Sequence, residues 1–154
     1  MKSNKGFIEL RNVSDYWRKL NFDYAKLKEN DNDIYLAFNF FVTAYHLIDW
    51  IFEGKHSKER SELNGKSLIK ICNHIVTGIK HFEPDPKRHN SVVEMEKERY
   101  VEEGFVEEGF FEDPIIIYLN EKLKLEYGES IKVMDLAQRI MEFWKAELNR
   151  RSLI

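Results

Sequence analysis

The sequence has a single cysteine, no excess of basic residues and no segment that we would expect to act as a secretory signal. Cys72 cannot form an internal disulfide, a pattern typical of proteins in a reducing compartment. The net charge of -3 argues against a broad electrostatic grip on nucleic acid, so any basic patch must be local. Residues 1–15 contain no apolar core and no small-residue cleavage site, and we therefore expect a cytoplasmic protein.

The chain also lacks a long apolar run free of polar side chains. Its most apolar stretch, residues 34–53, approaches membrane-spanning length. Asp49 would cost about 2.5 to 3.5 kcal/mol near the centre of a bilayer, and Asn39 and His46 add to that cost. The stretch therefore predicts a buried core helix and no membrane partner.

The length and composition of the chain predict one domain with a well-filled core over residues 1–154. A chain of this length can bury ~70% of its unfolded surface. Hydrophobic residues make up 43% and aromatic residues 14% of the sequence, and the aromatic share is high. Folding needs neither a disulfide nor a cofactor, and we predict no cofactor.

Four long helices are predicted, with a short helical turn in the polar segment before the third. Ser14 is the expected N-cap of the first helix, whose residues Trp17, Leu20, Tyr24 and Leu27 form an inward stripe. Asp33 caps the second helix, which runs to about Glu53. The third runs from Ser67 to the prolines at 84 and 86, and the fourth from about Ile131 to Asn149.

A small antiparallel sheet is predicted between the third and fourth helices, at about residues 91–127. Residues 91–101 and 115–127 are rich in β-branched and aromatic residues, and Leu123, Leu125 and Tyr127 alternate with charged residues. The predicted fold is mainly α: a bundle of four to five helices with an inserted β-hairpin or sheet. Residues 101–110 repeat the pentapeptide VEEGF, which we interpret as a solvated acidic loop that Phe105 and Phe110 pin to the core.

The second helix carries one polar seam, defined by five residues that fall within about 120° of each other at helical spacing: Asn39, Thr43, His46, Asp49 and Glu53. A buried seam needs polar partners. The expected partner is the polar face of the third helix, which carries Lys70, Asn73, His74, Thr77 and His81. These two faces form the candidate site.

Three interpretations of the candidate site remain open at this point. A metal site would use His46, Asp49, His74 and His81, although their spacing matches no common ligand motif. Acid–base chemistry would use His81 or His46, with Lys80 or Lys70 binding a phosphate. In the structural interpretation, which we favour, His46 and Asp49 satisfy each other or a neighbouring backbone group inside the core, and His74, Lys70 and Thr77 face water.

Two segments, AYHLIDWIF (44–52) and HIVTGIKHF (74–82), resemble a group of small, mostly uncharacterised prokaryotic proteins related to the HEPN superfamily. The layout is similar as well, with a β-hairpin after the second motif and a closing helix that carries Phe143 and Trp144. The resemblance covers roughly residues 34–150. It implies one HEPN-like helical domain that tends to form a homodimer, in a prokaryotic defence or toxin–antitoxin setting.

Active members of that superfamily cleave RNA without metal through an Arg-x4-6-His motif. His81 matches the motif histidine, whereas the arginine position falls near Asn73, and the interval between them encloses seven residues. Lys80 can supply a positive charge, but it does not reproduce the bidentate hold of arginine on phosphate. The resemblance therefore implies a degenerate domain that binds RNA, a nucleotide or a protein partner. The alternative is an endoribonuclease that uses His81, Asn73 and Lys80.

Overall fold

A computed structural model of the chain describes residues 5–81, 87–97 and 114–154. In this part of the chain the fold is mainly helical, with a small three-stranded antiparallel sheet, as predicted. It contains four long helices, α1 (Val13–Glu29), α2 (Ile34–Ile51), α4 (Ser67–His81) and α6 (Val133–Arg150), and two short ones, α3 (Lys58–Asn64) and α5 (Glu121–Tyr127). The strands are β1 (Val92–Lys97), β2 (Ile115–Leu119) and β3 (Ser130–Lys132).

The N-cap of helix α1 lies two residues before the predicted one. Asn12, not Ser14, is the N-cap: its side chain accepts a hydrogen bond from the Asp15 amide, and the Asp15 carboxylate accepts one from the Asn12 amide. This reciprocal pair satisfies two amides that have no partner within the helix. At α2 the prediction is confirmed, because Asp33 accepts from the amides of Tyr35 and Leu36.

The end of α2 is marked by two residues with positive φ. Glu53 has φ of 50° and Gly54 has φ of 71°, and the Gly54 amide donates to the Asp49 carbonyl at 2.8 Å. A hydrogen bond from an amide just past the helix to a carbonyl in its last turn is typical of helices that end in a left-handed residue. Gly54 therefore helps to close the helix, while Glu53 holds a conformation that glycine adopts more easily.

Helix α2 is the centre of the core. It packs against α1, α4 and α6, and seven of its eighteen residues are buried. By length and composition it is apolar enough to cross a membrane, a property that core helices share. Phe40, Ala44 and Leu47 on α2 are fully buried, as is Trp144 on α6.

The sheet has strand order β1-β2-β3, with both pairs antiparallel. One face turns Ile117 and Ile131 inward, and both are buried. The predicted strand at 123–127 is wrong: these residues lie in α5, where Leu123 is buried and Leu125 is 94% exposed. The segment is built from Glu, Lys and Leu, which favour helices, and Asn120 caps it by accepting from the Leu123 amide.

Residue 131 also differs from its predicted place, because it lies in β3 and α6 begins at Val133. Gly128, with φ of 88°, turns the chain from α5 into β3. The proline stop at 84 and 86 and the VEEGF segment, including Phe105 and Phe110, lie outside the described residues. Strands β2 and β3 contact both α5 and α6, so the sheet links these two helices.

Candidate functional site

The polar seam of α2 finds its partners on α1 and α3, not on the polar face of α4 as predicted. Thr43 donates from its hydroxyl to the Asp23 carboxylate at 2.5 Å, and Lys19 donates to the same carboxylate at 2.5 Å. Asp23 and Thr43 are both buried. This part of the seam is a structural brace between α1 and α2, because a buried carboxylate must be paired.

The rest of the seam is divided among separate contacts. Asp49 forms an ion pair with Arg60 of α3 and not with His46, one of the two kinds of partner expected for it. The His46 Nδ1 donates to the Val42 carbonyl at 2.8 Å, a bond within its own helix. Asn39 and Glu53 are exposed. The five side chains of the seam therefore do not line a single site.

The polar face of α4 is also divided. His74 is buried, not facing water as expected, and its Nδ1 accepts a hydrogen bond from the Val92 amide at 3.3 Å. Burial, and secondly the nearby His89, hold the pKa of His74 below its usual value. This neutral histidine ties α4 to the beginning of β1.

Asn73, Lys80 and His81 are the residues on which the ribonuclease alternative depends. Thr77 donates to the Asn73 side chain at 3.1 Å, so Asn73 has a partner in its own helix. Lys80 and His81 are exposed at the end of α4, and Lys70 is exposed near its start. His81 is the eighth residue after Asn73, about 12 Å farther along the helix axis.

His81 lies near the start of α2, whereas His46 and Asp49 lie toward its end. Ile79 near the end of α4 lines an apolar groove together with Ile34 and Phe38 from the start of α2. His46 is eight residues beyond Phe38, about 12 Å farther along α2. His81 therefore does not meet His46 or Asp49. The described part of the chain contains no group of three or more His, Cys, Asp or Glu side chains placed to hold a metal ion.

A surface outside the predicted site has charged side chains, aromatic rings and open clefts. It consists of two clefts on the outer side of α6, which we call the α6 groove. The larger, of about 760 Å³, is lined by Ile116, Tyr127, Ser130, Ile131, Lys132, Asp135, Gln138, Arg139 and Glu142. The smaller, of about 340 Å³, is lined by Trp17, Asn21, Tyr24, Lys28, Gln138, Met141, Glu142 and Lys145. Gln138 and Glu142 line both clefts, so the two are neighbours.

The α6 groove carries four cations against two carboxylates. Lys28, Lys132, Arg139 and Lys145 line it, and none of the four forms an ion pair within residues 5–81, 87–97 and 114–154. The Arg139 guanidinium lies over the Tyr127 ring, 5.6 Å from its centroid. Burial, and secondly Glu126, raise the pKa of Tyr127 to about 12, so its phenol stays protonated at neutral pH. The groove is thus locally basic on a chain whose net charge is -3.

Sequence reasoning missed the α6 groove because it assigned its aromatic residues to the core. Trp17 and Tyr24 share the α1 stripe with Leu20 and Leu27, but only the two leucines are fully buried. The half-buried rings of Trp17 and Tyr24 line the smaller cleft instead. The polar side of α6 could have indicated the groove from the sequence. Four of the residues that line it recur at helical spacing there: Asp135, Gln138, Arg139 and Glu142.

The α6 groove can attract an anion and can offer ring faces for stacking, but it contains no histidine or cysteine for proton transfer or nucleophilic attack among the described residues that line it. From Lys132 to Lys145 it extends about 20 Å along the helix. These dimensions suit an extended polyanion. In comparisons with family models, curated proteins and solved structures, nothing matched the chain.

Proposed function

We propose that this chain is an HEPN-like helical domain that binds single-stranded RNA in the α6 groove without cleaving it. The observation that carries the proposal is the combination, in one groove, of four cations that form no ion pair with described residues and three half-buried aromatic rings, those of Trp17, Tyr24 and Tyr127. A groove of this composition is typical of proteins that bind single strands, in which cations follow the backbone and bases stack on rings.

The aromatic rings favour a single strand over a duplex. Bases in a duplex are already stacked on each other, whereas those of a single strand are free to stack on protein rings. Tyr127 offers a ring that already holds the Arg139 guanidinium on one side. Tyr24 lies in the neighbouring cleft, so a strand that follows α6 passes both rings.

The cations support binding to a phosphate backbone at a local site. Lys28 and Lys145 line the smaller cleft, and Lys132 and Arg139 line the larger one. Because these four side chains form no ion pair with described residues, their charge is available to phosphates. Each phosphate that is neutralised releases counterions, so binding should weaken steeply as salt increases.

The placement of Asn73 and His81 supports binding without cleavage. An HEPN nuclease uses an arginine and a histidine that act on one phosphate. Here the position that corresponds to the arginine is Asn73, which pairs with Thr77 and lies about 12 Å along the helix from His81. No guanidinium stands at that position to hold a phosphate beside His81.

The proposal is tested with a fluorescein-labelled single-stranded RNA of about 12 nucleotides, a length within the range of single-strand sites. Fluorescence anisotropy should show binding that weakens with salt. Arg139→Ala or Lys145→Ala should reduce both the affinity and its salt dependence. The slope of log binding constant against log salt concentration should become shallower by roughly 0.7 for each phosphate that the variant no longer neutralises. Lys58→Ala is the matched control, because Lys58 is an exposed cation on α3 outside the groove.

Two results would overturn this function. The first is no binding to RNA at low salt, or reductions of the same size in Arg139→Ala and Lys58→Ala. The second is degradation of the RNA that disappears in His81→Ala, which would favour the ribonuclease alternative. Intact RNA recovered after prolonged incubation, together with binding that depends on Arg139, is the expected result.

A further inference from the structure

Two carboxylates lie inside the otherwise basic α6 groove. Asp135 lines the larger cleft, and Glu142 lines both clefts. Neither forms an ion pair with a cation in the described part of the chain, although Arg139 stands four residues after Asp135 and three before Glu142. Its guanidinium lies over the Tyr127 ring instead, which leaves both carboxylates with oxygen atoms free to accept hydrogen bonds.

Glu142 is held in place by its own helix. The Gln138 side chain donates to the Glu142 Oε1 at 3.1 Å, and Gln138 lines the same two clefts. Glu142 and Tyr24 both line the smaller cleft. Burial, and secondly the Glu142 charge, raise the pKa of Tyr24. Asp135 stands in the first turn of α6, where the helix dipole favours a carboxylate, and Glu142 stands in the middle of the helix, where Gln138 pairs with it.

A carboxylate beside a polyanion is unfavourable unless it accepts a hydrogen bond from the ligand. Ionised carboxylates are acceptors only, so the ligand must supply a donor. RNA carries a donor at every ribose, the 2′-hydroxyl, and DNA carries none at that position. The same two carboxylates would therefore repel a DNA strand and accept hydrogen bonds from an RNA strand.

Resting on the function proposed above, we infer that Asp135 and Glu142 select RNA over DNA by accepting hydrogen bonds from ribose 2′-hydroxyl groups. The four cations supply the affinity for either backbone, and the two carboxylates supply the discrimination between sugars. A charge-assisted hydrogen bond is strong enough to account for a preference of about tenfold or more.

The test compares labelled oligouridine with labelled oligodeoxyuridine of equal length, two single strands that differ only in the 2′-hydroxyl. Wild-type protein should bind the RNA about tenfold more tightly. In Asp135→Ala/Glu142→Ala the ratio of the two dissociation constants should approach one, mainly because binding to DNA strengthens. Glu142→Ala alone, at an exposed position in mid-helix, should lower the ratio in part. Glu62→Ala, at an exposed acidic residue on α3 outside the groove, should keep the wild-type ratio.

Equal affinity of the wild-type protein for both strands would overturn the inference and leave single-strand binding in place. An unchanged ratio in the double variant, with its helical circular dichroism intact, would also overturn it. If neither strand binds at low salt, the proposed function fails and this inference fails with it.

Discussion

The Thr43 hydroxyl donates a 2.5 Å hydrogen bond to the Asp23 carboxylate, and this bond joins α2 to α1 in the core. Asp23 is 5% exposed and Thr43 is 6% exposed, so water does not compete for the bond. Lys19 donates to the same carboxylate from the half-exposed edge of α1. At Thr43, the polar seam of α2 that was predicted to be part of a functional site is a structural link between α1 and α2.

Thr43→Val should therefore destabilise the protein. Valine has the shape of threonine but no donor, so the buried Asp23 carboxylate is deprived of one hydrogen bond while the packing volume is kept. We expect the free energy of unfolding in urea to fall by about 1 to 3 kcal/mol. Thr77→Val is the matched control, since Thr77 donates to the neutral and half-buried Asn73 and its effect should be smaller. Equal decreases in both variants would contradict a special role for the Asp23 brace.

Much of the fold follows from local signals in the sequence. Asp33 starts α2, and Ser67 marks the first residue of α4 and begins its amphipathic pattern, because capping and periodicity act over a single turn of chain. At α5 the alternation of Leu123, Leu125 and Tyr127 was misleading. Seven residues are too few to separate a period of two from one of 3.6, and Leu125 is exposed.

The candidate site was harder to predict, because it depends on which helices meet. The residues of the seam were identified correctly as polar positions on a buried helix, but their partners, Asp23 and Arg60, come from α1 and α3. No local pattern indicates which neighbour packs against a given face of α2. The α6 groove was missed for the same reason, since it requires α1, α6 and the sheet to be placed together.

Glu53→Gly should stabilise the protein. Glu53 has φ of 50°, a left-handed conformation that costs a residue with a Cβ atom about 1 to 2 kcal/mol and costs glycine little. Part of this gain is offset by the greater freedom of glycine in the unfolded chain, which leaves an expected increase of about 0.5 to 1 kcal/mol in the free energy of unfolding. The Glu53 ion pairs with Lys5 and Lys55 are exposed and contribute little.

The control for Glu53→Gly is Glu62→Gly, an exposed position inside α3 where the backbone is right-handed. There glycine should destabilise by about 0.5 to 1 kcal/mol, because no strain is relieved. Chemical denaturation of both variants gives the comparison. Destabilisation by Glu53→Gly would show that the left-handed conformation is not strained.

Stability should decrease as the pH falls below about 6.5, the usual pKa of histidine, and His74 should be a cause. In the folded state the neutral Nδ1 accepts the Val92 amide, and burial holds the His74 pKa below about 6.5. The unfolded chain therefore binds more protons at this site than the folded chain does between the two pKa values. In that window the free energy of unfolding rises with pH, and above about pH 6.5 the contribution is complete.

Urea unfolding between about pH 5.5 and pH 8 measures this dependence. In His74→Gln the amide oxygen can still accept from Val92 but does not titrate, so the slope should become shallower. His81→Ala changes an exposed histidine at the end of the same helix and should keep the contribution of His74. A slope unchanged in His74→Gln would assign the pH dependence to other groups.

Tyr127 should contribute to RNA binding through its ring and not through its hydroxyl. The Arg139 guanidinium lies over this ring, and the Tyr127 phenol stays protonated at neutral pH because its pKa is raised to about 12. Tyr127→Phe keeps the ring, so RNA affinity should stay close to that of the wild type. Tyr127→Leu keeps the apolar packing but removes the stacking face, and should weaken binding by roughly 1 to 3 kcal/mol if a base stacks there. Equal weakening in the phenylalanine and leucine variants would mean that the hydroxyl, not the ring, is what the ligand contacts, because that group is the only one that both substitutions remove.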